Sequence, residues 1–492
     1  MTLVRSIGGA IGNPGQVPAG LVLTGVQLDS RRVQPGDLFV ALAGSQRDGW
    51  SFVPQAIERG AAAILASDLP AGMALPIPVW LHPDPRRALG LAAATFAGNP
   101  SRDLEVVAIT GTNGKTTTAF LLRSLLRAQG QDPALLGTTG YYLARGVFEP
   151  ATHTTPDAIT LQHLFARQRE VDGGTVIMEA SSHALDQERL AGTSVDLAVF
   201  TNLSRDHLDY HGDMESYAAS KARLFACLDR HGAAVLNADD HEYPRMVHAA
   251  RAAGARVLST SLQSPADLWA NHLRTDTSGT RFDLHGLGFS ATGIHVPLLG
   301  AHNISNLLQA LACARWLGHD TAGLLAALPH LQAAPGRLEP IPLGPGRPAA
   351  WVDYAHTPDA LQNVLTSLRR IEGGGKLWVL FGCGGERDQG KRAQMGEVAA
   401  RLADEVWITS DNPRSEEPAA IANAIWQGVC AVRGTSPEAC RIELDRREAI
   451  HSILQAAGPG DRVLIAGKGH ESVQEIGGQK LPFDDRAVAQ EV

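Results

Sequence analysis

Short apolar runs that end in glycine or polar loops alternate along most of the chain with segments whose apolar positions recur at helical spacing. This pattern predicts an α/β fold in which buried, mainly parallel strands are joined by helices and ligands bind beyond the carboxyl ends of the strands. Residues 1–95 hold strand-like pieces at Leu21–Thr24, Asp37–Ala41, Ala62–Leu65 and Val79–His82, broken by proline and glycine, and predict a small α/β domain. The runs Leu104–Ile109, Val176–Met178 and Leu197–Phe200 predict a mostly parallel sheet in a central domain, residues 96–336, which ends at the Ala334-Pro-Gly-Arg337 turn before the Pro/Gly-rich stretch Pro340–Pro348. Over residues 337–492 the runs Leu377–Phe381, Val406–Thr409 and Val463–Ala466 each pass into a polar or glycine-rich loop, as in a Rossmann-like domain. Their loops, Gly382–Arg392, Ser410–Arg414 and Gly467–Glu471, are then expected to line one crevice.

The first chemistry-bearing loop follows the run at 104–109. Gly111-Thr-Asn-Gly-Lys-Thr-Thr117 stands between that strand and a predicted helix, Thr117–Ala128, with Phe120, Leu121, Leu125 and Leu126 on one face and Gly130 as a stop. Gly111 and Gly114 let backbone N–H groups converge on phosphate oxygens, Lys115 adds a point charge, and Thr116 offers a hydroxyl to Mg²⁺. The loop is a shortened phosphate loop, since Ile109 stands where the full pattern has glycine. Lysine usage sharpens the reading: only six of 43 basic residues are lysine, Lys115 and Lys221 among them.

A chain of 492 residues exceeds what one core sustains, so about three domains are expected. Net charge −8 without a basic cluster excludes nucleic acid as a main partner. Cys227, Cys313, Cys383, Cys430 and Cys440 are odd in number and lack metal-ligand spacing, so they are expected to be reduced core residues. Met1-Thr-Leu-Val-Arg-Ser-Ile-Gly-Gly9 has no signal pattern and no apolar run reaches the about 20 residues that span a bilayer, which predicts a soluble, cytoplasmic protein.

Three further constellations carry charge. Glu179-Ala-Ser-Ser-His183 places a carboxylate at a strand end, where it either holds Mg²⁺ or belongs to a loop with a helix-capping serine. Thr201-Asn-Leu-Ser-Arg-Asp-His-Leu-Asp-Tyr-His-Gly212 concentrates titratable groups after another strand. Lys221 lies on a predicted helix, Met214–Cys227, and is either a solvated lysine or a desolvated one that CO₂ converts to a carbamate. In the third domain Arg387, Asp411-Asn-Pro-Arg414 and Gly467-Lys-Gly-His-Glu471 bring both charge signs together, which suits a zwitterionic ligand, although Asp411-Asn-Pro also reads as a turn initiator.

These segments, with Leu299-Gly-Ala-His-Asn303 and Asp353-Tyr-Ala-His-Thr-Pro358, resemble the motifs of the Mur ligases of peptidoglycan synthesis, in the family's order and over nearly the whole chain. Leu28-Asp-Ser-Arg31 with Pro35-Gly-Asp-Leu-Phe39 is similar to the UDP-binding domain of the diaminopimelate-adding members, and Asp411-Asn-Pro-Arg414 to the motif that selects meso-diaminopimelate over lysine. The resemblance implies that Leu28, Ser30, Ser45, Gln46 and Arg47 hold the uridine nucleotide, and Thr154, Thr155, Ser181, Gln187 and Arg189 the muramoyl-dipeptide of UDP-N-acetylmuramoyl-L-Ala-D-Glu. His153 stands where asparagine is expected before the two threonines. For ATP it implies Gly111, Thr112, Asn113, Gly114, Lys115, Thr116 and Thr117 at the phosphates, and Asn303, Arg337 and Asp353 on the base and ribose side. Thr116, Glu179, His207 and Lys221, the last as N6-carboxylysine, would organise Mg²⁺, with Lys115, Glu179, His207 and Lys221 catalytic. Arg387, Asp411, Asn412, Pro413, Arg414, Gly467 and Glu471 would bind diaminopimelate.

The implied enzyme is a monomeric ligase that forms an acyl phosphate on the D-glutamate γ-carboxylate and closes its carboxy-terminal domain about the Ala334–Pro348 region. Three rivals stand beside it: a lysine-adding ligase, which Arg414 opposes, a folylpolyglutamate-type ligase, which the Leu28–Arg31 domain opposes, and a nucleotide-driven switch ATPase, which leaves the zwitterion crevice without a purpose.

Overall fold

The computed structural model describes residues 7–13, 16–18, 20–44, 48–171, 174–371, 375–436 and 440–492. They build three α/β units, each on its own sheet. The N-terminal sheet runs Ala10–Ile11, Val79–Leu81, Ala63–Ala66, Asp37–Val40, Gly25–Gln27, and all pairs but the first are parallel. The strand expected at Leu21–Thr24 begins instead at Gly25. A Cβ at Gly25 would lie 2.5 Å from Asp37 Oδ1, so glycine alone lets the chain close onto its neighbour there.

The central sheet has eleven strands. Its parallel heart comprises β1 (Glu105–Thr110), β2 (Ala134–Gly137), β3 (Thr175–Glu179), β4 (Val195–Phe200), β5 (Leu228–Asn237) and β6 (Arg256–Ser261), in the order β6-β5-β4-β1-β3-β2. Beyond β6 the strand Leu268–Asp276 adds in parallel and leads into antiparallel strands that run to Val296, while antiparallel strands from Gly140 to Glu149 extend the sheet beyond β2. Because β1 is buried on both faces, its alternate residues feed two cores. Val107 and Ile109 pack with helices α1 (Lys115–Ala128) and α3 (Ala301–Trp316), while Val106 and Ala108 pack with Phe165, Tyr217 and Phe225. At about 1.5 to 3 kcal/mol for each large apolar side chain, these layers hold the strand ends that carry the loops.

The helix expected at Met214–Cys227 divides into α2 (Met214–Ala222) and a 3₁₀ segment, Arg223–Cys227, whose tighter winding lets consecutive Leu224 and Phe225 both bury. The expected core cysteines are all free, but only Cys313 and Cys383 are fully buried. No helix among the described residues is long and apolar enough to cross a membrane.

The third sheet orders Glu339–Ile341, β7 (Ala349–Asp353), β10 (Arg462–Ala466), β8 (Leu377–Phe381), β9 (Glu405–Ile408) and Arg441–Ile442, with only the first strand antiparallel. Helix α4 (Pro358–Arg369) follows β7. Behind the sheet, Arg446 of α5 (Arg446–Ala456) and Asp485 of α6 (Asp485–Ala489) form a fully buried pair through two hydrogen bonds of 2.7 Å. The same guanidinium donates to the carbonyls of Ser410 at 3.2 Å and Ala466 at 3.0 Å, just before two of the crevice loops. Asp485→Ala would leave that cation unpaired in the interior and is expected to cost about 3 to 5 kcal/mol, whereas the double substitution Arg446→Met with Asp485→Leu should restore most of it. Urea unfolding followed by tryptophan fluorescence checks both.

Candidate active site

The loop after β1 takes a shape that only its sequence permits. Gly111 and Gly114 have φ of +148° and +87°, and added Cβ atoms would meet Thr201 Oγ1 at 1.8 Å and Asn306 Oδ1 at 2.4 Å. The end of β4 braces it: Thr201 Oγ1 and Asn202 Nδ2 donate to the Asn113 carbonyl at 2.6 and 3.0 Å, and Asn113 N–H returns a bond to Asn202 Oδ1 at 3.0 Å. Gly114 caps α1 without a side-chain acceptor, so N–H groups of the first turn face the cleft, the arrangement that receives phosphate. Lys115 Nζ donates to the Gly111 and Thr112 carbonyls at 2.9 and 3.0 Å, and burial holds its pKa below the usual lysine range.

Glu179, at the end of β3, has no exposed surface. Its Oε1 accepts from Thr116 Oγ1 and Thr138 N–H, both at 3.0 Å, and its Oε2 from Thr138 Oγ1 at 3.1 Å. The capping reading of the following serine also holds, because Ser181 Oγ accepts from Ala184 N–H at 3.2 Å. Lys221 is not a solvated lysine: it is 1% exposed, donates to the Gly111 carbonyl at 2.8 Å, and lies 4.4 Å from the Tyr217 ring centre. Desolvation, reinforced by the Lys115 charge, drives its pKa well below the ordinary value. Tyr217 also ties α2 to the loop, its hydroxyl 3.2 Å from Thr112 Oγ1.

A ring cluster stands beside these lysines. His207 adopts φ +54° and lies 5.0 Å from His183, which in turn is 5.4 Å from His211. His207 keeps 48% of its side chain exposed, yet desolvation lowers its pKa, with Lys115 and Lys221 adding to the shift and Asp206 opposing it.

Asn303, Arg337 and Asp353 converge on the same cleft of about 590 Å³, together with the phosphate loop, Glu179, Thr154, Ser181 and His207. Asn303 Nδ2 donates to the Leu299 carbonyl at 2.9 Å. Arg337 lies 4.7 Å over the Tyr354 ring, and its buried Nε has no hydrogen-bond partner among the described residues. Asp353 accepts from Leu338 and Ala355 N–H, both at 2.7 Å, and burial raises its pKa. Thr154, which lines the cleft, has its Oγ1 3.1 Å from Thr138 Oγ1, whereas Thr155, Gln187 and Arg189 stand behind the lining: Thr155 Oγ1 donates to the Glu179 carbonyl, Arg189 Nη1 to the Thr155 carbonyl and Arg189 Nη2 to Gln187 Oε1, each at 2.8 Å.

Other expected residues fall outside the cleft. The His153 side chain is exposed, its Nδ1 3.3 Å from Thr152 Oγ1, and its carbonyl accepts from the Tyr141 hydroxyl at 3.0 Å. Leu28 packs on the N-terminal core, and buried Ser30 donates to Gln55 Oε1 at 2.5 Å. Ser45, Gln46 and Arg47 lie outside the described residues.

The crevice of the third unit is assembled separately. A Cβ on Gly467, at φ +111°, would lie 2.5 Å from Asp411 Oδ2, so the two loops touch only because that residue is glycine. Asn412 Nδ2 donates to Glu471 Oε2 at 2.8 Å, and buried Lys468 donates to Asn412 Oδ1 and Glu471 Oε2, both at 3.2 Å. Pro413 is buried and Arg387 exposed. Arg414, at φ +54°, faces Glu475 at 3.7 Å and donates to the Gly385 carbonyl at 2.5 Å. Thr138, Asn306, Tyr354, Asp359 and Glu475 are among the residues that sequence reasoning passed over. Tyr354 lay within a quoted motif, whereas Thr138, Asn306 and Glu475 are marked only by their neighbours in space.

A phosphate loop with a buried carboxylate on its threonine, facing a second α/β unit with a mixed-charge crevice, defines a nucleotide-using enzyme that brings two further substrates together. Residues 22–96 match the model of the Mur ligase family catalytic domain, 109–314 that of the Mur ligase middle domain, and 336–469 that of the Mur ligase glutamate ligase domain. The chain belongs to the Mur ligase family, as its motifs had indicated. It is 43% identical over 477 residues to the UDP-N-acetylmuramoyl-L-alanyl-D-glutamate–2,6-diaminopimelate ligase of Synechococcus elongatus, covering 95% of this chain and 93% of that relative. It is 44% identical over 476 residues to the ligase of the same name from Alkalilimnicola ehrlichii, covering 94% and 93%. A solved structure of a ligase of that name superposes with a TM-score of 0.69 at 38% identity, over 95% of this chain and 94% of that one.

The ring cluster gives a pH dependence. Desolvation, helped by His207 and His211, pushes His183 from 6.5 to about 4. A depressed histidine pKa favours the fold above the unfolded value, and that contribution is lost as pH falls from 6.5 toward about 4. Unfolding free energies from urea titrations at pH 7 and pH 5 should therefore diverge more for the parent protein than for His183→Asn, by about 1 kcal/mol given the partial exposure of the ring.

Proposed function

We propose that this chain joins meso-diaminopimelate to the D-glutamate γ-carboxylate of UDP-N-acetylmuramoyl-L-Ala-D-Glu at the expense of ATP, a cytoplasmic step of peptidoglycan precursor synthesis. The observation that carries the reading is the shared wall of the cleft: Thr116 of the phosphate loop and Glu179 line the same space as Thr154 and Ser181, on a chain similar over 95% of its length to a ligase named for this reaction. In this reading Asn303, Arg337 and Asp353 hold the base and ribose. Thr154, Thr155, Ser181, Gln187 and Arg189 orient the dipeptide. Leu28 and Ser30, with Ser45, Gln46 and Arg47, hold the uridine end. The exposed His153 leaves the first dipeptide contact to its neighbours.

A carboxylate is a poor acyl donor, so the γ-phosphoryl of ATP passes to the D-glutamate γ-carboxylate and gives an acyl phosphate with release of ADP. Lys115, already desolvated, regains a counter-charge when phosphate approaches and stabilises charge on the transferring group. The neutral amine of diaminopimelate then attacks the acyl carbon, and phosphate leaves as the amide forms. Asn412 and Glu471 hold its ammonium end and Arg414 with Arg387 its distal carboxylate, with Asp411, Pro413 and Gly467 shaping the crevice. Mg²⁺ fits the donors present, since the Thr116 hydroxyl and Glu179 are hard oxygen ligands with His207 beside them, and when bound it would neutralise phosphate charge. A lysine held neutral by burial suits conversion of Lys221 to a carbamate, which would supply a further oxygen donor. The chain acts as a monomer of three domains, 1–95, 96–336 and 337–492.

The test is phosphate release from ATP and Mg²⁺ with the UDP-muramoyl-dipeptide, comparing meso-diaminopimelate with L-lysine and weighing the product. Release and tripeptide only with diaminopimelate are expected. Turnover with lysine would overturn the acceptor assignment, and release indifferent to either would favour a switch ATPase. Lys115→Ala should abolish release, whereas Arg414→Ala should raise KM for diaminopimelate about 10- to 100-fold and leave KM for ATP unchanged.

A further inference from the structure

Asp359 stands in the first turn of α4, on the C-terminal side of the cleft, where its own helix N-terminus would already stabilise a carboxylate. Its Oδ2 nevertheless reaches across to the central unit, accepting from Asn113 Nδ2 at 3.1 Å and from Ser204 Oγ at 2.9 Å. Asn113 Nδ2 also donates to Ser204 Oγ at 3.3 Å, which closes a triangle of the three side chains. The far side of that triangle belongs to the phosphate loop itself: Ser204 N–H donates to Thr112 Oγ1 at 3.0 Å, and Thr112 Oγ1 donates to the Ser204 carbonyl at 3.2 Å. One carboxylate thus fastens α4 to both the loop after β1 and the loop after β4.

The near side runs to the acceptor crevice. The loop from β7 to α4 carries Asp353 and Tyr354, the Asp353 carbonyl accepts from Gly467 N–H at 3.0 Å, and the Tyr354 ring lies 5.3 Å from His470. Where Asp359 seats on Asn113 and Ser204 therefore sets where the crevice stands relative to the phosphate loop.

We propose that Asp359 is a positioning residue that docks the C-terminal domain on the phosphate loop and holds the acceptor amine in line with the activated carboxyl, an inference that rests on the ligase reading above. Its charge also lies in the cleft that takes the triphosphate, so the contact opposes nucleotide binding while it promotes turnover. That opposition separates docking from simple structural support, which would raise both constants together.

Asp359→Ala is expected to lower kcat for the complete reaction about tenfold, the worth of a hydrogen-bonded charge, with KM for ATP unchanged or lower. Ser204→Ala should lower kcat as well, but by less than about twofold when Asp359 is already alanine, because both act through one contact. Hydrogen exchange of the unliganded protein supplies a readout that needs no turnover: Asp359→Ala should speed exchange in peptides covering residues 111–117 and 201–206. Unchanged kcat, effects of the two substitutions that multiply, or unchanged exchange would each overturn the proposal. A parent protein without ligase turnover would strike the functional reading alone, and the exchange result would then decide the docking contact.

Discussion

The site depends on keeping charge out of water at the carboxyl ends of the strands. Glu179 is wholly buried, and an unpaired carboxylate there would cost several kcal/mol. It is tolerated because Thr116 at the start of α1 and Thr138 in the turn after β2 supply three donors to its two oxygens. A turn, a helix start and a strand end are therefore locked to one another by a polar group, and the same lock sets the wall between the phosphate loop and Thr154. Lys115 and Lys221 answer the opposite need: each donates to the Gly111 carbonyl, and burial holds both below the lysine range.

Three glycines do for the backbone what these donors do for charge. Gly111 and Gly114 sit against Thr201 and Asn306 with no room for a Cβ, so the phosphate loop is pressed onto the end of β4 and onto α3. Gly336 does the same at the junction with the third unit, where a Cβ would lie 2.1 Å from His470 N. The segment that delivers Arg337 to the nucleotide side thereby rests on the loop that carries Glu471. Movement of the crevice loop cannot leave the nucleotide side undisturbed.

Much of this was legible in the sequence, for a physical reason. Buried parallel strands must be apolar throughout, so β1, β3, β4, β8, β9 and β10 announced themselves as runs, with every end within two residues of the observed one and both ends of β8 matched. The strand beginning at Gly25 was misplaced because its start is set by how closely Asp37 approaches, a tertiary fact. The site residues followed from motifs that are local in the chain, and the cleft does assemble the phosphate loop with Glu179, Asn303, Arg337 and Asp353. Lys221 marks the limit, since whether a helix lysine is solvated or desolvated depends on what packs over it, here Tyr217 and the Gly111 carbonyl. Thr138, Asn306 and Glu475 carried no signal because they are common polar residues whose importance arises from partners brought near only by folding.

The crevice and the cleft are separate, and that separation constrains the chemistry. None of Arg387, Asp411, Arg414 and Glu471 lines the space that holds the phosphate loop, Glu179 and Thr154. In the proposed ligase reading, an acceptor held in the crevice extends its amine toward the cleft past the shared boundary of Asp353, Tyr354 and Gly467. That boundary is continuous backbone hydrogen bonding from β7 to the loop after β10, backed by the buried Arg446–Asp485 pair that grips the carbonyls of Ser410 and Ala466. A rigid boundary of this kind favours rigid-body placement of the acceptor over loop rearrangement. In the proposed ligase reading Arg414 sets selectivity for the acceptor's far end, while the placement of its near end depends on how the third unit seats on the phosphate loop.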